Sequence, residues 1–321
     1  MHDTVLIDMN SIGHASHNAP RLTVGDIQTQ AVFGVIRTLR GIAETYPERR
    51  IWCLWDGARE TSWRKEVLPE YKANRDAMTP KEQADKDAYR KQVTILRQTL
   101  PYLGLKQLLV STAEADDSAG YLTRQIVANG GSVDLITGDQ DWLQLLALEQ
   151  KGTKVRWIDP IREKRIGNHD FLDKTGYFSP FEFLQGKALQ GDGSDNIPGV
   201  GGIGEKTAME LLAKYRSVEA FLAQHAAAPN SIKGKKLNDF ANNVTGGRDK
   251  FARNMQLMDL INAKKPDPKD VIITRPKYSE PSFQKIADRL AFRSITKDLP
   301  NFMRPFKNNH DFHDQRIALA A

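Results

Sequence analysis

Four short apolar runs in the first half of the chain are each followed by carboxylate side chains. The runs and their acids are residues 5–7 with Asp8, 51–55 with Asp56, 108–110 with Glu114, Asp116 and Asp117, and 133–137 with Asp139 and Asp141. Short apolar runs with helical patterns between them are typical of strands in a parallel sheet. Because ligands of such sheets bind beyond the carboxyl ends of the strands, we expect all these acids on one rim.

Carboxylates gathered on one rim need a counter-charge. Two of them about 4 Å apart repel by roughly 4 kcal/mol at an effective dielectric constant near 20. Such a group takes up protons or binds cations, and an all-oxygen donor set without His or Cys favours Mg²⁺ or Mn²⁺ over zinc. Each acid alone could instead be a turn former, and Asp116 and Asp117 could simply begin a helix. Their recurrence after several strands favours a metal site.

Positive charge outweighs the acids over the whole chain. Lys and Arg number 46 against 40 Asp and Glu, which leaves a net charge of +6 and indicates a polyanionic partner. The single cysteine, Cys53, excludes an intrachain disulfide. The sequence contains neither a signal-peptide pattern nor an apolar run of about 18 residues, so we expect no membrane partner and a cytoplasmic protein, in the host cytoplasm if the chain is phage-encoded.

The periodicity of apolar residues predicts the order of the elements along the chain. Strands are expected over residues 4–8, 50–56 and 154–158, and helices over 26–43, 116–129, 179–189, 205–215, 218 onward, 248–262 and 281–292. Residues 59–97 mix many charges with few apolar side chains, which is compatible with a pair of solvated helices. The tail from Lys307 has the pattern of a frayed end.

A glycine-rich turn follows residue 190. Gly199, Gly201 and Gly204 match the spacing GxGxxG, but no strand precedes them, and Glu205 stands where a Walker A loop needs lysine. A helix, a tight turn and a second helix fit better, because they would present backbone N–H groups and Lys206 to a phosphate. Such a unit holds a DNA backbone without reading bases.

Two further acids lie just upstream of these glycines. Asp192 and Asp195 are three residues apart, so one helical turn would place both on one face. They could cap the turn. Alternatively, they reach the acidic rim and complete a second metal position.

Residues 191–208 (GDGSDNIPGVGGIGEKTA) resemble the 5′-nuclease, or flap endonuclease, family, which includes the 5′→3′ nuclease domain of bacterial DNA polymerase I and stand-alone phage 5′-exonucleases. Residues 69–75 (PEYKANR), 114–117 (EADD) and 137–141 (TGDQD) are similar to the same family in the same order. The resemblance covers roughly residues 4–260. One departure is Met9, where the family usually has glycine after the first aspartate.

The resemblance implies an α/β fold with a mostly parallel central sheet flanked by helices, of the PIN-like type. It also implies a helical arch over about residues 72–97 and a C-terminal helix–hairpin–helix DNA-binding region. We therefore expect a nuclease core over residues 1–178 and a helical DNA-binding part over 179–321, with the helix–hairpin–helix at about 180–216.

The resemblance also implies roles for individual residues. A first metal would be held by Asp8, Asp56, Glu114 and Asp116, and a second metal or its water shell by Asp117, Asp139, Asp141, Asp192 and Asp195. Lys72 and Arg75 would contact the scissile phosphate, and Tyr71 would stack on a base. Duplex phosphates would meet Lys187, Lys206, Thr207, Gly199, Gly201, Gly204, Lys233 and Lys235. Backbone carbonyls of Leu189, Gln190, Pro198, Val200 and Ile203 would cradle K⁺.

These roles imply a structure-specific 5′ nuclease. It would use two or three Mg²⁺ or Mn²⁺ ions to hydrolyse phosphodiester bonds in 5′-flap or 5′-ended DNA, and RNA–DNA hybrids are a further expected substrate. We expect a monomer. Two alternatives stay open at this point: a non-catalytic binder of branched DNA with the same fold, and a nucleotide-dependent oxidoreductase that rests on the GxGxxG spacing alone.

Overall fold

The computed structural model describes residues 3–75, 78–229 and 234–320, with side chains up to residue 312 in the last range. The strands are β1 Thr4–Asp8, β2 Thr23–Val24, β3 Ile27–Gln28, β4 Arg50–Trp55, β5 Lys106–Val110, β6 Val133–Ile136, β7 Val155–Asp159, β8 Lys164–Ile166 and β9 Val271–Thr274. The helices are α1 Met9–His17, α2 Gln30–Thr45, α3 Arg64–Val67, α4 Pro80–Thr99, α5 Ala115–Ala128, α6 Phe171–Thr175, α7 Pro180–Gln190, α8 Glu205–Tyr215, α9 Val218–Ala227, α10 Lys235–Ala241, α11 Gly247–Met258, α12 Glu280–Arg289, α13 Arg293–Thr296 and α14 Leu299–Ala320.

A seven-stranded sheet in the order β8-β7-β6-β1-β4-β5-β9 forms the centre of the fold. The five inner strands run parallel, and the two edge strands, β8 and β9, pair antiparallel with their neighbours. This confirms the predicted mostly parallel sheet. Because β1, β4, β5 and β6 are parallel neighbours, the segments that follow them emerge on the same rim.

The core lies on both faces of this sheet. Val5 and Ile7 of β1 pack on the side of α2, while Leu6 between them packs on the side of α5, as the alternation of a strand requires. All three side chains are fully buried. Strand β1 is therefore fixed from both sides, and its last residue, Asp8, starts from a rigid position.

The last part of the chain returns to the first part, which differs from the predicted helical region over residues 179–321. Strand β9 pairs with β5 through Val110 and Val271, and Phe283, Met303 and Phe306 of α12 and α14 join the core beside α2. The four-residue run of β9 is too short to be distinguished from a loop by its pattern. The tail predicted as frayed continues helix α14, which packs on the core through Met303, Phe306 and Asn309.

Two local predictions also need correction. The helix predicted over 26–43 begins only at Gln30, because Ile27 and Gln28 instead form a small hairpin with Thr23 and Val24. In place of the predicted helix pair, the described part of residues 59–97 contains two 3₁₀ turns, the four-residue helix α3 and most of the 20-residue helix α4. Within the described ranges, no helix combines the length and apolar content that crossing a bilayer would take.

Candidate functional site

Asp8 links two neighbouring strands at the rim. It caps α1, where its Oδ1 accepts hydrogen bonds from the backbone N–H groups of Asn10 and Ser11, both at 3.0 Å. Its Oδ2 accepts from the Thr137 hydroxyl just after β6, at 2.8 Å. The carboxylate is thus held by local helix geometry and by the adjacent strand.

Three other acids at the strand ends are also held by fixed donors. Asp56 accepts from the backbone N–H of Ala115 at 2.8 Å, which ties β4 to the start of α5. Asp116 accepts from the indole of the buried Trp142 at 2.7 Å. Asp139 accepts from the N–H of Asp141 at 2.8 Å and caps the 3₁₀ helix Gln140–Leu148. Together with Asp8, these three residues form what we term the strand-end acids.

Burial and neighbouring carboxylates raise the pKa values of the strand-end acids. Burial and then the charge of Asp56 raise the pKa of Asp8 to about 6. Desolvation and then the charge of Asp141 raise the pKa of Asp139 to about 7. Burial followed by Asp139 raises the pKa of Asp116 well above its usual value, and burial followed by Glu114 raises that of Asp56. Negative charge is therefore in excess here, which is the condition that bound cations relieve.

The remaining predicted acids are paired with basic side chains, and we term them the cation-paired acids: Glu114, Asp117, Asp141, Asp192 and Asp195. Glu114 accepts from Lys72 Nζ at 2.7 Å. Burial would raise its pKa, but Lys72 and Arg64 lower it below the usual value. Asp195 contacts Lys72 at 3.6 Å and Arg75 at 2.8 Å. Half of the rim thus carries its own counter-charge.

Lys187 pairs with the two acids that come from different parts of the chain. Its Nζ lies 3.0 Å from Asp141 Oδ1 and 3.2 Å from Asp192 Oδ2. Asp192 also accepts from Ser194 N at 2.8 Å and Oγ at 2.7 Å. Despite partial burial, the Ser194 hydroxyl and Lys187 hold the pKa of Asp192 below its usual value, whereas burial outweighs Lys187 and raises that of Asp141.

Acids of both groups surround one small cavity. It measures about 20 Å³ and is lined by Glu114, Asp116, Asp141, Asp192 and Asp195, together with Tyr71 and Arg64. This volume admits one water-sized species, and hard carboxylate oxygens are donors suited to Mg²⁺ or Mn²⁺. Among the side chains that the structure describes, no three Asp, Glu, His or Cys residues already stand in metal-binding geometry. The donor chemistry and the excess charge fit a divalent cation, and these acids would hold it.

Two predicted site residues have structural partners that conflict with their predicted roles. Both oxygens of Asp117 are bound by the buried Arg64, at 2.6 and 3.0 Å, so Asp117 is not available to a metal. Tyr71 is 1% exposed, and its hydroxyl donates to Asp195 at 2.9 Å. A ring buried to this extent cannot stack on a base. Arg64 was missed by sequence reasoning because a lone arginine in a charged stretch gives no signal of burial.

The two predicted phosphate-binding cations differ in exposure. The side chain of Lys72 is 10% exposed and points to Glu114, while that of Arg75 is 47% exposed. Lys72 also has a left-handed backbone, with φ of 56°. Only Arg75 of this pair presents its charge to solvent.

Most of the segment predicted as an arch forms helix α4. Thr79 and Glu82 form a capping box at its start, and its first half is exposed or partly exposed. Its second half packs through Tyr89, Gln92 and Leu96. This second half belongs to the core, so only the first half of α4 is open to the role of an arch, which stays a prediction. Residues 76 and 77 of the predicted range lie outside the described residues.

A cleft of about 1410 Å³ lies between α1 and the exposed half of α4 and reaches Asp56 on the rim. Its basic side chains are Arg21, Arg59, Arg75, Lys81, Lys86 and Arg90, and its acids are Asp56, Glu60, Glu82 and Asp85. Asn10, His14 and Asn18 also line it. Sequence reasoning missed these three residues, although their spacing of four after the capping Asp8 is a signal of one helix face.

The glycine-rich turn connects α7 and α8 as predicted. A Cβ on Gly199 would lie 2.1 Å from the Gln190 carbonyl oxygen, so the close approach of these two segments requires glycine. Gly201 has φ of 55°, which also favours glycine. Gly204 is the N-cap of α8. The exposed Lys206 and the partly exposed Thr207 follow in its first turn.

The carbonyls predicted to hold K⁺ already make internal hydrogen bonds at three of the five positions. Leu189 O accepts from Val200 N at 2.8 Å, Val200 O accepts from Ile203 N at 2.9 Å, and Pro198 O accepts from Asn254 at 2.9 Å. A carbonyl can accept a second bond, so the K⁺ site stays a prediction. Lys235 is exposed at the start of α10, while Lys233 lies outside the described residues.

Two family models match this chain and together span most of it. The N-terminal resolvase-like domain of 5′-3′ exonucleases matches residues 3–176, and their C-terminal SAM fold matches residues 178–274. The chain belongs to the 5′-3′ exonuclease family. This confirms the predicted family and the prediction of a structure-specific 5′ nuclease. The GxGxxG spacing is therefore not the sign of an oxidoreductase.

Individual relatives agree with this membership. The chain is 33% identical over 233 residues to the 5′-3′ exonuclease of Bacillus subtilis, which covers 69% of this chain and 71% of that protein. It is 29% identical over 320 residues to DNA polymerase I of Synechocystis, covering 95% of this chain and 30% of that protein. The chain thus spans under a third of the polymerase's length.

Solved structures share the fold at lower identity. The T5 5′-exonuclease with bound zinc has a TM-score of 0.65 at 22% identity, covering 94% of this chain and 100% of that chain. The catalytic core of Rad2 in complex with DNA substrate has a TM-score of 0.57 at 16% identity, covering 95% and 93%. These likenesses confirm the α/β fold class.

Proposed function

We propose that this chain hydrolyses phosphodiester bonds in DNA that carries a 5′ flap or a 5′ end, as a divalent-metal-dependent nuclease. The observation that carries the proposal is the rim itself. Acids following β1, β4, β5 and β6 meet there and raise one another's pKa values. Through Asp56 the rim borders a cleft whose charged side chains are mostly basic. A polyanionic substrate and a polyacidic site need cations between them.

Divalent cations at this rim would supply Lewis acidity and a nucleophile at neutral pH. The strand-end acids and the acids lining the small cavity would hold them, in agreement with the T5 5′-exonuclease, whose structure contains zinc. We propose Mg²⁺ or Mn²⁺ for this chain, because all donors are carboxylate oxygens. Two divalent ions account for the number of acids. A third divalent ion and the K⁺ site at the glycine-rich turn are also part of the proposal.

The chain's own residues would position the substrate. Arg75 lines the cleft and presents an exposed guanidinium beside Asp195, where it can contact a phosphate. Lys72 lies behind it against Glu114 and would offset charge on the phosphoryl oxygens once the carboxylate is occupied. Hydroxyl and thiol nucleophiles are not required in this scheme.

The helix–hairpin–helix would hold the duplex. The first turn of α8 offers backbone N–H groups, and Lys206 adds an exposed cation. The exposed Lys235 at the start of α10, with Lys233 beside it in sequence, extends the proposed contact. The cleft under α4 would take the displaced 5′ strand. RNA–DNA hybrids as substrates, a monomeric state and a cytoplasmic location complete the proposal.

The test is incubation of a 5′-flap duplex, labelled at each 5′ end in turn, with Mg²⁺, with Mn²⁺ and with EDTA. We expect cleavage with either metal and none with EDTA. Product lengths separate incision at the branch from stepwise trimming. Flap binding without cleavage under all three conditions would instead identify a non-catalytic binder of branched DNA.

A further inference from the structure

Lys187 connects the DNA-holding part of the molecule to the acidic rim. It lies on α7, the first helix of the helix–hairpin–helix, and its partners are Asp141 of the nuclease core and Asp192 of the glycine-rich turn. Its side chain is 27% exposed. The ammonium is thus close to two carboxylates and still borders solvent.

The carboxylates that Lys187 contacts also line the small cavity. Asp141 and Asp192 border it together with Glu114, Asp116 and Asp195. One ammonium neutralises half of the charge of Asp141 and Asp192. A dication bound by the same two oxygens would neutralise all of it and would repel the ammonium at short range. The flexible four-carbon stem of lysine allows that charge to move away.

We propose that Lys187 is an internal counter-ion that releases Asp141 and Asp192 when a divalent cation binds, and then offers its ammonium to a DNA phosphate. Both steps rest on the proposed function: the metal step on its divalent cations and the DNA step on its substrate. Metal binding and DNA binding would then reinforce each other, since each favours the released position of Lys187. By linkage, each ligand would raise the affinity for the other by the same factor.

Lys72 is less suited to this exchange, although it also bridges two acids. Its Nζ is 2.7 Å from Glu114 and its side chain is only 10% exposed, against 27% for Lys187. A buried lysine has no short path to a duplex held by α7 and α8. We therefore assign the exchange between carboxylates and a DNA phosphate to Lys187.

The first experiment titrates Mn²⁺ into the DNA-free protein and counts free Mn²⁺ by electron paramagnetic resonance. We expect Lys187→Met to bind Mn²⁺ about tenfold more tightly than wild type, since a competing charge at about 3 Å has been removed and the pair is partly screened by solvent. Lys187→Arg keeps the charge and should remain within about twofold of wild type on the same grounds.

Lys206→Met is the matched control. It removes the same charge from the same helix–hairpin–helix, at a position where the lysine is exposed to solvent. Its Mn²⁺ affinity should equal that of wild type. Unchanged or weaker Mn²⁺ binding by Lys187→Met, or equal tightening by Lys206→Met, would overturn the proposal. Thermal melting in EDTA verifies that each variant is folded.

The second experiment measures binding of a fluorescent 5′-flap duplex with Ca²⁺ and with EDTA at constant ionic strength. We expect Ca²⁺ to tighten binding of wild type, and this gain to fall by about tenfold in Lys187→Met, because the same coupling is read from the DNA side. Lys206→Met should weaken binding equally in both conditions. An undiminished gain in Lys187→Met would overturn the proposal. If wild type cleaves flaps and Lys187→Met binds Mn²⁺ with unchanged affinity, the exchange role of Lys187 is disproved while the nuclease function stands.

Discussion

The two groups of acids on the rim are both built from carboxylate side chains but differ in their counter-charge. The strand-end acids have backbone, hydroxyl and indole donors, and their pKa values are raised. The cation-paired acids have Lys72, Lys187, Arg64 and Arg75 beside them, and the pKa values of Glu114 and Asp192 are lowered. An acidic residue at a strand end is therefore not by itself a metal ligand.

The largest expected effect comes from the strand-end acids. Asp139→Asn should reduce the cleavage rate of a 5′-flap duplex by at least about 10³-fold, because losing a carboxylate from the rim removes several kcal/mol of transition-state stabilisation by cations. Flap affinity should stay nearly unchanged. The measurement is single-turnover cleavage with Mg²⁺, with Asp173→Asn, an exposed acid on α6, as control. If the variant cleaves at the wild-type rate, Asp139 is not part of the catalytic site.

A smaller effect, on stability, is expected from a cation-paired acid. Asp117→Asn should lower the free energy of unfolding by about 3 kcal/mol, since the buried Arg64 would lose the partner that compensates its charge. Denaturant unfolding in EDTA measures this. Asp173→Asn again serves as control. If Asp117→Asn unfolds like wild type but binds Mn²⁺ more weakly, then Asp117 belongs with the strand-end acids, and our assignment is wrong.

The smallest effect concerns the pH dependence of the metal-free protein. The native pKa values of about 6 for Asp8 and about 7 for Asp139 lie above those of the unfolded chain. The native state therefore binds more protons than the unfolded state, so their contribution to stability is complete below about pH 4 and is lost as the pH rises to 7. Stability of the EDTA-treated protein should fall over this range, and Mg²⁺ should restore it.

Asp139→Asn should reduce that pH dependence. At pH 8 without metal, the variant should be more stable than wild type by about 1 kcal/mol, a figure reduced from the pKa shift because solvent screens this exposed carboxylate. Thermal melting at pH 5 and pH 8 in EDTA provides the comparison. A variant destabilised at both pH values would show that Asp139 is held by favourable local bonds rather than strained by its neighbours.

Sequence patterns predicted much of the fold because they report local geometry. Apolar runs such as 133–137 correspond to strands within a residue or two, and the helices predicted over 179–189 and 205–215 are present as α7 and α8. Strand β9 and helix α14 were missed. Strand β9 is only four residues long, and helix α14 contains Pro305, a residue that usually ends or kinks a helix. Both pack on β5 and α2, which are more than 150 residues away in sequence.

The order of the amino acids places carboxylates after several strands, and parallel pairing then brings those acids to one rim. Which of them receive a cation from the protein depends on the tertiary structure. Arg64 reaches Asp117 across 53 residues, and Lys187 reaches Asp141 from a separate helix. Such pairings depend on how α3, α5 and α7 pack. The position of a carboxylate after its strand follows from local sequence, because the strand and its turn are local structures. The position of the basic side chain that pairs with it follows from contacts between elements that are distant in sequence.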